Sequence, residues 1–364
     1  MATSIITDFD SIYLTSLLPE EVSFETDAAS LNVAVFLNST KVFSSDYYPY
    51  QEVVTVRDIC SIVEAAMLKN RWSMATLKLV ATEPVSPPSS VSYDEDGNMY
   101  MTYGEETPQP ETESVEDIKV VYCRLKWLED SEDFLLYRFL TTRRSALIPR
   151  SGQLMLSHYT KAYAQGLNTA LIYYSVAQNP GEVLTYTHTM ESMQSNTETI
   201  VTTNLTHSYF KSIVDQNMGC YSTVLGAEYR IGSRQFNIFF TDEEPTETFT
   251  FLNAFNVTET AYLYNTTTIK TEVDRSEAIC GKTAEFYDQT VRVKHEVETA
   301  SLAYDEAKWL NQLLTSRLVR HSLEDGTLQE VLISDISSEI SNSDKELIRL
   351  KFSYKYTDAN EYLL

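Results

Sequence analysis

A chain of 364 residues is too long for one ordinary hydrophobic core and calls for two or three domains. Its 43% hydrophobic and 12% aromatic content excludes a disordered polyanion, which lacks the apolar surface to offset chain entropy. Its 52 acidic against 28 basic residues, a formal charge of −24, would repel a phosphate backbone, so no nucleic-acid partner is expected.

From the N-terminus, Met1 to Leu18 carries Asp8 and Asp10 with no basic stretch before its short apolar run, so a secretory signal is not expected. No window approaches the roughly 20 apolar residues of a membrane span, and no membrane anchor is expected. Leu31, Val33, Val35 and Leu37 alternate as one face of a half-buried strand. Tyr47-Tyr48-Pro49-Tyr50 is the densest aromatic cluster; aromatics of β-sandwich strands are mostly core or cross-strand partners, a reading favoured over a glycan-stacking surface, and a subunit contact is a third reading. Thr55-Val56-Arg57-Asp58 resembles a capping box, and Ile59, Ile62, Val63, Ala66 and Met67 follow at helical spacing up to about Asn70.

Residues Glu83 to Glu116 read as a polar excursion. Pro84, Pro87 and Pro88 on one side and Pro108 and Pro110 on the other disfavour continuous pairing, while Asp96-Gly97 favours a tight hairpin turn between Tyr93 and Tyr103. A calcium loop is disfavoured because Gly97 falls at position four counted from Asp94, not six. Tyr93, Tyr100 and Tyr103 join Tyr47, Tyr48 and Tyr50 as possible interface residues.

Further strands are predicted over Ile118 to Trp127, Thr169 to Val176, Glu182 to Thr189, Thr223 to Ile231 and Gln235 to Thr241. Ile348, Leu350, Phe352, Tyr354 and Tyr356 alternate with polar residues near the end. Helices are expected from about Thr206 to Gln216 and Ala303 to Ser316, the latter with Leu310, Leu313 and Leu314 inward. Breaks near Thr141 to Gly152 and Asp242 to Thr248 divide the chain into β-rich domains 1–141, with the 83–116 excursion, 142–244 and 245–364. The fold class is mainly β: two or three antiparallel β-sandwich-like domains, each with about one short helix.

Constellations that carry chemistry are sparse. Cys60, Cys123, Cys220 and Cys280 are far apart with no CxxC pair, and are read as free thiols of a reducing cytoplasm, not as zinc ligands. The five histidines, His158, His188, His207, His295 and His321, form no HExxH or HxxxH pair, and no GxSxG elbow, P-loop or GxGxxG is present. No catalysis, cofactor or metal is expected.

The last third holds the most distinctive run. Phe251-Leu252-Asn253-Ala254-Phe255-Asn256 with Glu259 is followed by Lys270 and Arg275, then Phe286-Tyr287-Asp288. Glu298-Thr299-Ala300 and Leu302 come next, then the helix with Glu306, Trp309 and Leu313-Leu314, with Ser316 and Val319 after it. This order resembles structural proteins of bacteriophage tails, particularly β-sandwich proteins of the distal tail and baseplate, with echoes in Phe139-Leu140-Thr141-Thr142. The resemblance implies a virion tail component made in the host bacterial cytoplasm. Its partners would be further copies of itself in a ring and neighbouring tail proteins, and it implies no active-site residues. Two other readings stay open: a neck or head-to-tail connector ring protein, and a carbohydrate-binding receptor-recognition module.

Overall fold

In the computed structural model, residues 3–84, 90–93, 99–102, 112–126, 130–160, 168–179, 181–190, 198–219, 221–280, 283–340 and 348–357 are described. Among them 24 strands and four α-helices make a mainly β protein of several antiparallel sheets. The helices are α1 (Ile59–Asn70), α2 (Ser131–Tyr137), α3 (His207–Met218) and α4 (Tyr304–Thr315). Two compact units divide the chain, Met1–Phe134 and Leu135–Leu364, so the division drawn near residue 244 lies inside the second unit.

In the first unit the alternating apolar residues face one another across two sheets. Five strands run in the order Ile12–Leu14, Thr112–Val121, Met74–Thr82, Leu31–Leu37, Thr40–Tyr47, and three in the order Ser4–Ile5, Glu21–Glu25, Val53–Arg57. Val33, Val35, Leu77 and Leu79 from the larger sheet share a core with Val22, Phe24, Val54 and Val56 from the smaller. Helix α1 adds Ile59, Val63 and Met67, spaced by four so that they lie on one face. The capping box does not form. Thr55 and Val56 are paired in a strand, and Asp58, at the N-cap, is left-handed (φ 63°) and makes no side-chain cap bond.

The strand predicted from Ile118 begins six residues earlier, at Thr112, and so takes in the end of the 83–116 excursion. A register shift between Val115 and Ile118, with Asp117 at φ 63°, breaks the two-residue period and hides the first half of the strand. Within the excursion Ser90–Tyr93 pairs antiparallel with Met99–Thr102, placing Tyr93 opposite Met99; the turn at 94–98 lies outside the described residues.

The second unit has two cores. The first is built on a five-stranded sheet ordered Ser145–Pro149, Arg234–Thr241, Ser222–Ile231, Asn168–Val176, Leu184–Met190, with the pair Gln153–Thr160 and Thr199–Thr206 beside it. Helix α3, capped by Thr206 Oγ1 accepting from the Tyr209 N–H, contributes Phe210, Ile213 and Val214. Ser145–Pro149 is a genuine strand within the stretch where the sequence pattern broke. It pairs parallel to Arg234–Thr241 and exposes Leu147, so its alternation is short and unlike that of its neighbours.

The second core lies in a seven-stranded sheet ordered Thr258–Leu263, Glu247–Leu252, Val319–Ser322, Leu328–Ser338, Leu350–Tyr356, Thr283–Thr299, Asn265–Cys280. Its two edge strands are separated in sequence by Tyr264 alone. Laid flat, seven strands would put the edges about 29 Å apart, whereas Leu263 to Asn265 spans at most about 7 Å. The sheet must therefore curl enough to bring the end of one edge strand to the start of the other, although no ladder pairs the two among the described residues. Phe249, Phe251, Val297, Phe352 and Tyr354 line the inside, and α4 adds Ala307, Trp309, Leu310, Leu313 and Leu314 to the same core.

Candidate assembly interface

The feature that departs most from a closed fold is a β-ribbon. Strands Asn265–Cys280 and Thr283–Thr299 pair from Asn265↔Thr299 to Cys280↔Thr283. The third strand, Leu350–Tyr356, reaches the ribbon only at His295 to Glu298. Beyond that point the described ladder contains just the two ribbon strands, about 40 Å of it at the usual rise per residue. The register sorts the side chains onto two faces. Ile269, Thr271 and Val273 stand opposite His295, Val293 and Val291, continuing the face that carries buried Val297; Lys270 and Asp274 lie on the other face with Lys294. The polar face is tied across strands by Lys270–Glu296 at 2.7 Å and Lys294–Asp335 at 2.6 Å. The apolar face is open: Ile269 is 65% exposed and Val273 42%, and towards the tip Ile279, Phe286 and Tyr287 are more than half exposed. Arg275 lies over the Phe286 ring at 5.1 Å.

The ribbon root is fastened by a buried polar cluster. Glu247 accepts from Thr267 Oγ1 at 2.7 Å and pairs with His321 Nε2, while His321 Nδ1 is 2.8 Å from the Tyr356 hydroxyl. Tyr354 donates to Glu247 at 3.4 Å, and His295 stacks on the Tyr354 ring at 4.6 Å and 10°. Burial pushes the Glu247 carboxyl up, but the bonds from His321 and Thr267 outweigh it and hold the group below its ordinary range. Burial, then the Glu247 charge, raise the Tyr354 phenol. Thr267 and His295 belong to the two ribbon strands, so this cluster joins ribbon to core.

The Phe251 to Asn256 run has a different role. Asn253 folds it into a turn by accepting from the Phe255 N–H at 2.8 Å and the Val257 N–H at 3.3 Å, with Asn256 left-handed at φ 58°. The Asn253 amide donates to Leu140 O at 2.7 Å and to Glu259, which also accepts from Trp309 Nε1 at 2.6 Å. Arg143 lies over the Trp309 ring at 3.9 Å and brings Nε to 3.4 Å from Glu259 Oε2, an ion pair without hydrogen-bond geometry. Gln312 accepts from the Ala254 N–H and donates to Thr142. The Phe251–Asn256 run, the stretch around Leu140 and the helix with Trp309 thus converge on one buried carboxylate, Glu259, 3% exposed, whereas Lys270, Arg275 and Phe286 lie on the ribbon. This assembly is internal and reads as a clasp between residues 140–143 and the rolled sheet.

The predicted interface tyrosines are divided. Tyr47 is half-buried against the first core and its phenol is raised by burial, whereas Tyr48 and Tyr50 are 80% and 78% exposed beside the tight turn at Gln51-Glu52. Tyr93 and Tyr100 sit on the paired hairpin strands, their side chains outside the described residues along with the whole of Tyr103. The ribbon was missed as an interface, although Ile269, Thr271 and Val273 alternating with Lys270 and Asp274 before Gly281 was the available signal.

Cys60 and Cys123 are free thiols pushed up to about 11 by burial, and Cys60 donates to Thr15 O; the Cys220 and Cys280 side chains lie outside the described residues. Among the described residues no group of three or more metal-ligating side chains is found, and no helix is long and apolar enough to cross a membrane. In comparison with known proteins, no protein-family model matches the chain and no curated protein is significantly similar to it, so the likeness to phage tail proteins rests on the quoted residues alone.

Proposed function

We propose that this chain is a structural subunit that acts by assembly, and specifically a component of a tailed-phage virion, in a distal-tail or baseplate ring of identical copies contacting neighbouring tail proteins. The observation that carries the assembly reading is the ribbon Asn265–Cys280/Thr283–Thr299, whose open apolar face continues the core face of the rolled sheet. Two-stranded ribbons without a backing layer are marginal in water, and exposed β-branched rows gain most from being covered. The excess of acidic residues keeps the surface soluble and argues against nucleic acid as the covering partner. The tail location is drawn from the order of residues between Phe251 and Val319.

Negative-stain electron microscopy and mass photometry test this. The purified protein, alone or with its neighbouring tail proteins, is expected to form closed rings. Replacing 269–294 by a short turn should leave the body folded, by circular dichroism, and abolish assembly. A strict monomer under both conditions would defeat the proposal. A glycan-binding reading has one observation in its favour, exposed Tyr48 and Tyr50; binding on a glycan array that is lost in Y48A/Y50A would favour it instead.

A further inference from the structure

Among the described residues no strand pairs with the outer edge of Asn265–Cys280, which ends the order of the seven-stranded sheet, so the ribbon offers a free edge as well as an open face. An unpaired strand edge is a template for another strand, and the side chains along it decide which strand is admitted. Here the sequence Thr268-Ile269-Lys270-Thr271-Glu272-Val273-Asp274 is complementary to itself when reversed. We propose that this edge pairs antiparallel with the same edge of a second copy about a two-fold axis at Thr271.

In that register Lys270 stands opposite Glu272 twice, Ile269 opposite Val273 twice, Thr268 opposite Asp274 twice, and Thr271 opposite itself. Opposite residues of an antiparallel pair share a face, so the apolar stripes of the two ribbons merge into one four-stranded surface. Neighbouring registers that keep the faces aligned are worse. A shift of the axis to Lys270 or Glu272 sets that charge against itself, a shift to Val273 sets Glu272 against Asp274, and a shift to Ile269 forfeits both Lys270–Glu272 pairs. Ile269, Lys270, Thr271 and Val273 are all exposed. The arrangement closes at two copies, since an isologous contact does not propagate. It is therefore an addition to a ring contact and does not depend on one.

A charge swap in the full-length protein tests the pairing. By sedimentation equilibrium, K270E and E272K each put like charges opposite at two positions and should weaken dimerisation about tenfold or more. K270E/E272K reinstates both attractions and should dimerise more tightly than either single variant. It restores neither the Lys270–Glu296 bridge nor the original Glu272↔Arg292 position inside one ribbon, so recovery reports the contact between copies. Independently, T271C in a C280S background should oxidise to a covalent dimer, because directly opposite Cα atoms lie within disulfide reach, whereas S276C should not. A wild-type protein that stays monomeric at about 100 µM, or a double variant no tighter than the singles, overturns the inference. Rings seen by microscopy alongside a failed swap would leave the assembly reading standing and remove only the edge pairing.

Discussion

Acid should unfold the second unit partly through one imidazole. His158 is 5% exposed, set edge-on to Phe139 at 6.0 Å, with its Nδ1 bonded to nothing. Burial, and then the nearby Arg234 guanidinium, lower it to about 4 from an ordinary 6.5. The folded state therefore holds fewer protons than the unfolded state between these values. Stability from the neutral ring is fully present above pH 6.5 and is lost as pH falls towards 4, below which the slope ends. A shift of this size corresponds to about 3 kcal/mol. Buried carboxylates such as Glu247, held below their ordinary range, lose their contribution only at lower pH, so the two effects separate on the pH axis. The assay is urea unfolding at half-unit steps from pH 7.5 to 3.5, followed by Trp309 fluorescence in a W72F/W127F background. The protein should lose about 3 kcal/mol more across pH 6.5 to 4 than its H158F variant, whose ring cannot charge. Parallel curves for the two proteins would refute the burial argument.

Other outcomes follow from packing and charge. Glu259→Gln leaves the Arg143 guanidinium without its carboxylate and should cost about 3–5 kcal/mol in thermal or urea unfolding, with R143M/E259Q recovering much of it. Leu313→Ala, at a fully buried position, should cost about 2–5 kcal/mol. Lys308→Ala, which removes only an exposed cation over the Tyr304 ring, should cost less than about 1 kcal/mol; equal losses would mean the inward face of α4 is misassigned. Gly226→Ala would place a Cβ 2.5 Å from the Ile238 carbonyl oxygen, so strands Ser222–Ile231 and Arg234–Thr241 must separate, lowering the melting temperature by the equivalent of about 1–3 kcal/mol.

Strands with a two-residue period were legible because burial on one face imposes it. Leu31–Leu37 and the alternation ending at Tyr356 fell where expected, and α4 is one residue shorter at each end than its pattern. What escaped had local patterns interrupted by non-local events. The bulge at Asp117 hid half a strand, and Ser145–Pro149, with Leu147 exposed between buried Ala146 and Ile148, carried no clean alternation to read. Helix α2, seven residues with acids in its first turn, was too short for helical periodicity to register. In the internal clasp, Asn253, Glu259 and Trp309, which stand apart in the sequence, are joined by hydrogen bonds to one carboxylate. Their mutual bonds depend on Leu140 and Arg143, more than a hundred residues upstream, and no pattern within one stretch can reveal such a meeting.

The rolling of the C-terminal sheet also fixes the order in which a growing chain can acquire structure. Leu350–Tyr356 joins Leu328–Ser338 on one side to Thr283–Thr299 on the other. Until this seventh strand has left the ribosome, no backbone ladder joins the ribbon to the four strands beyond it, and only connecting chain and side-chain contacts such as Thr267–Glu247 hold the two together. Phe352 and Tyr354 arrive last, and the inner faces they cover stay wet until then. Closure is thus a late, long-range event, with the open edges vulnerable to pairing with another nascent copy in the interval. A chain stopped before Leu350 would lose the strand that docks the ribbon onto the sheet, leaving contacts such as Thr267–Glu247 to orient it.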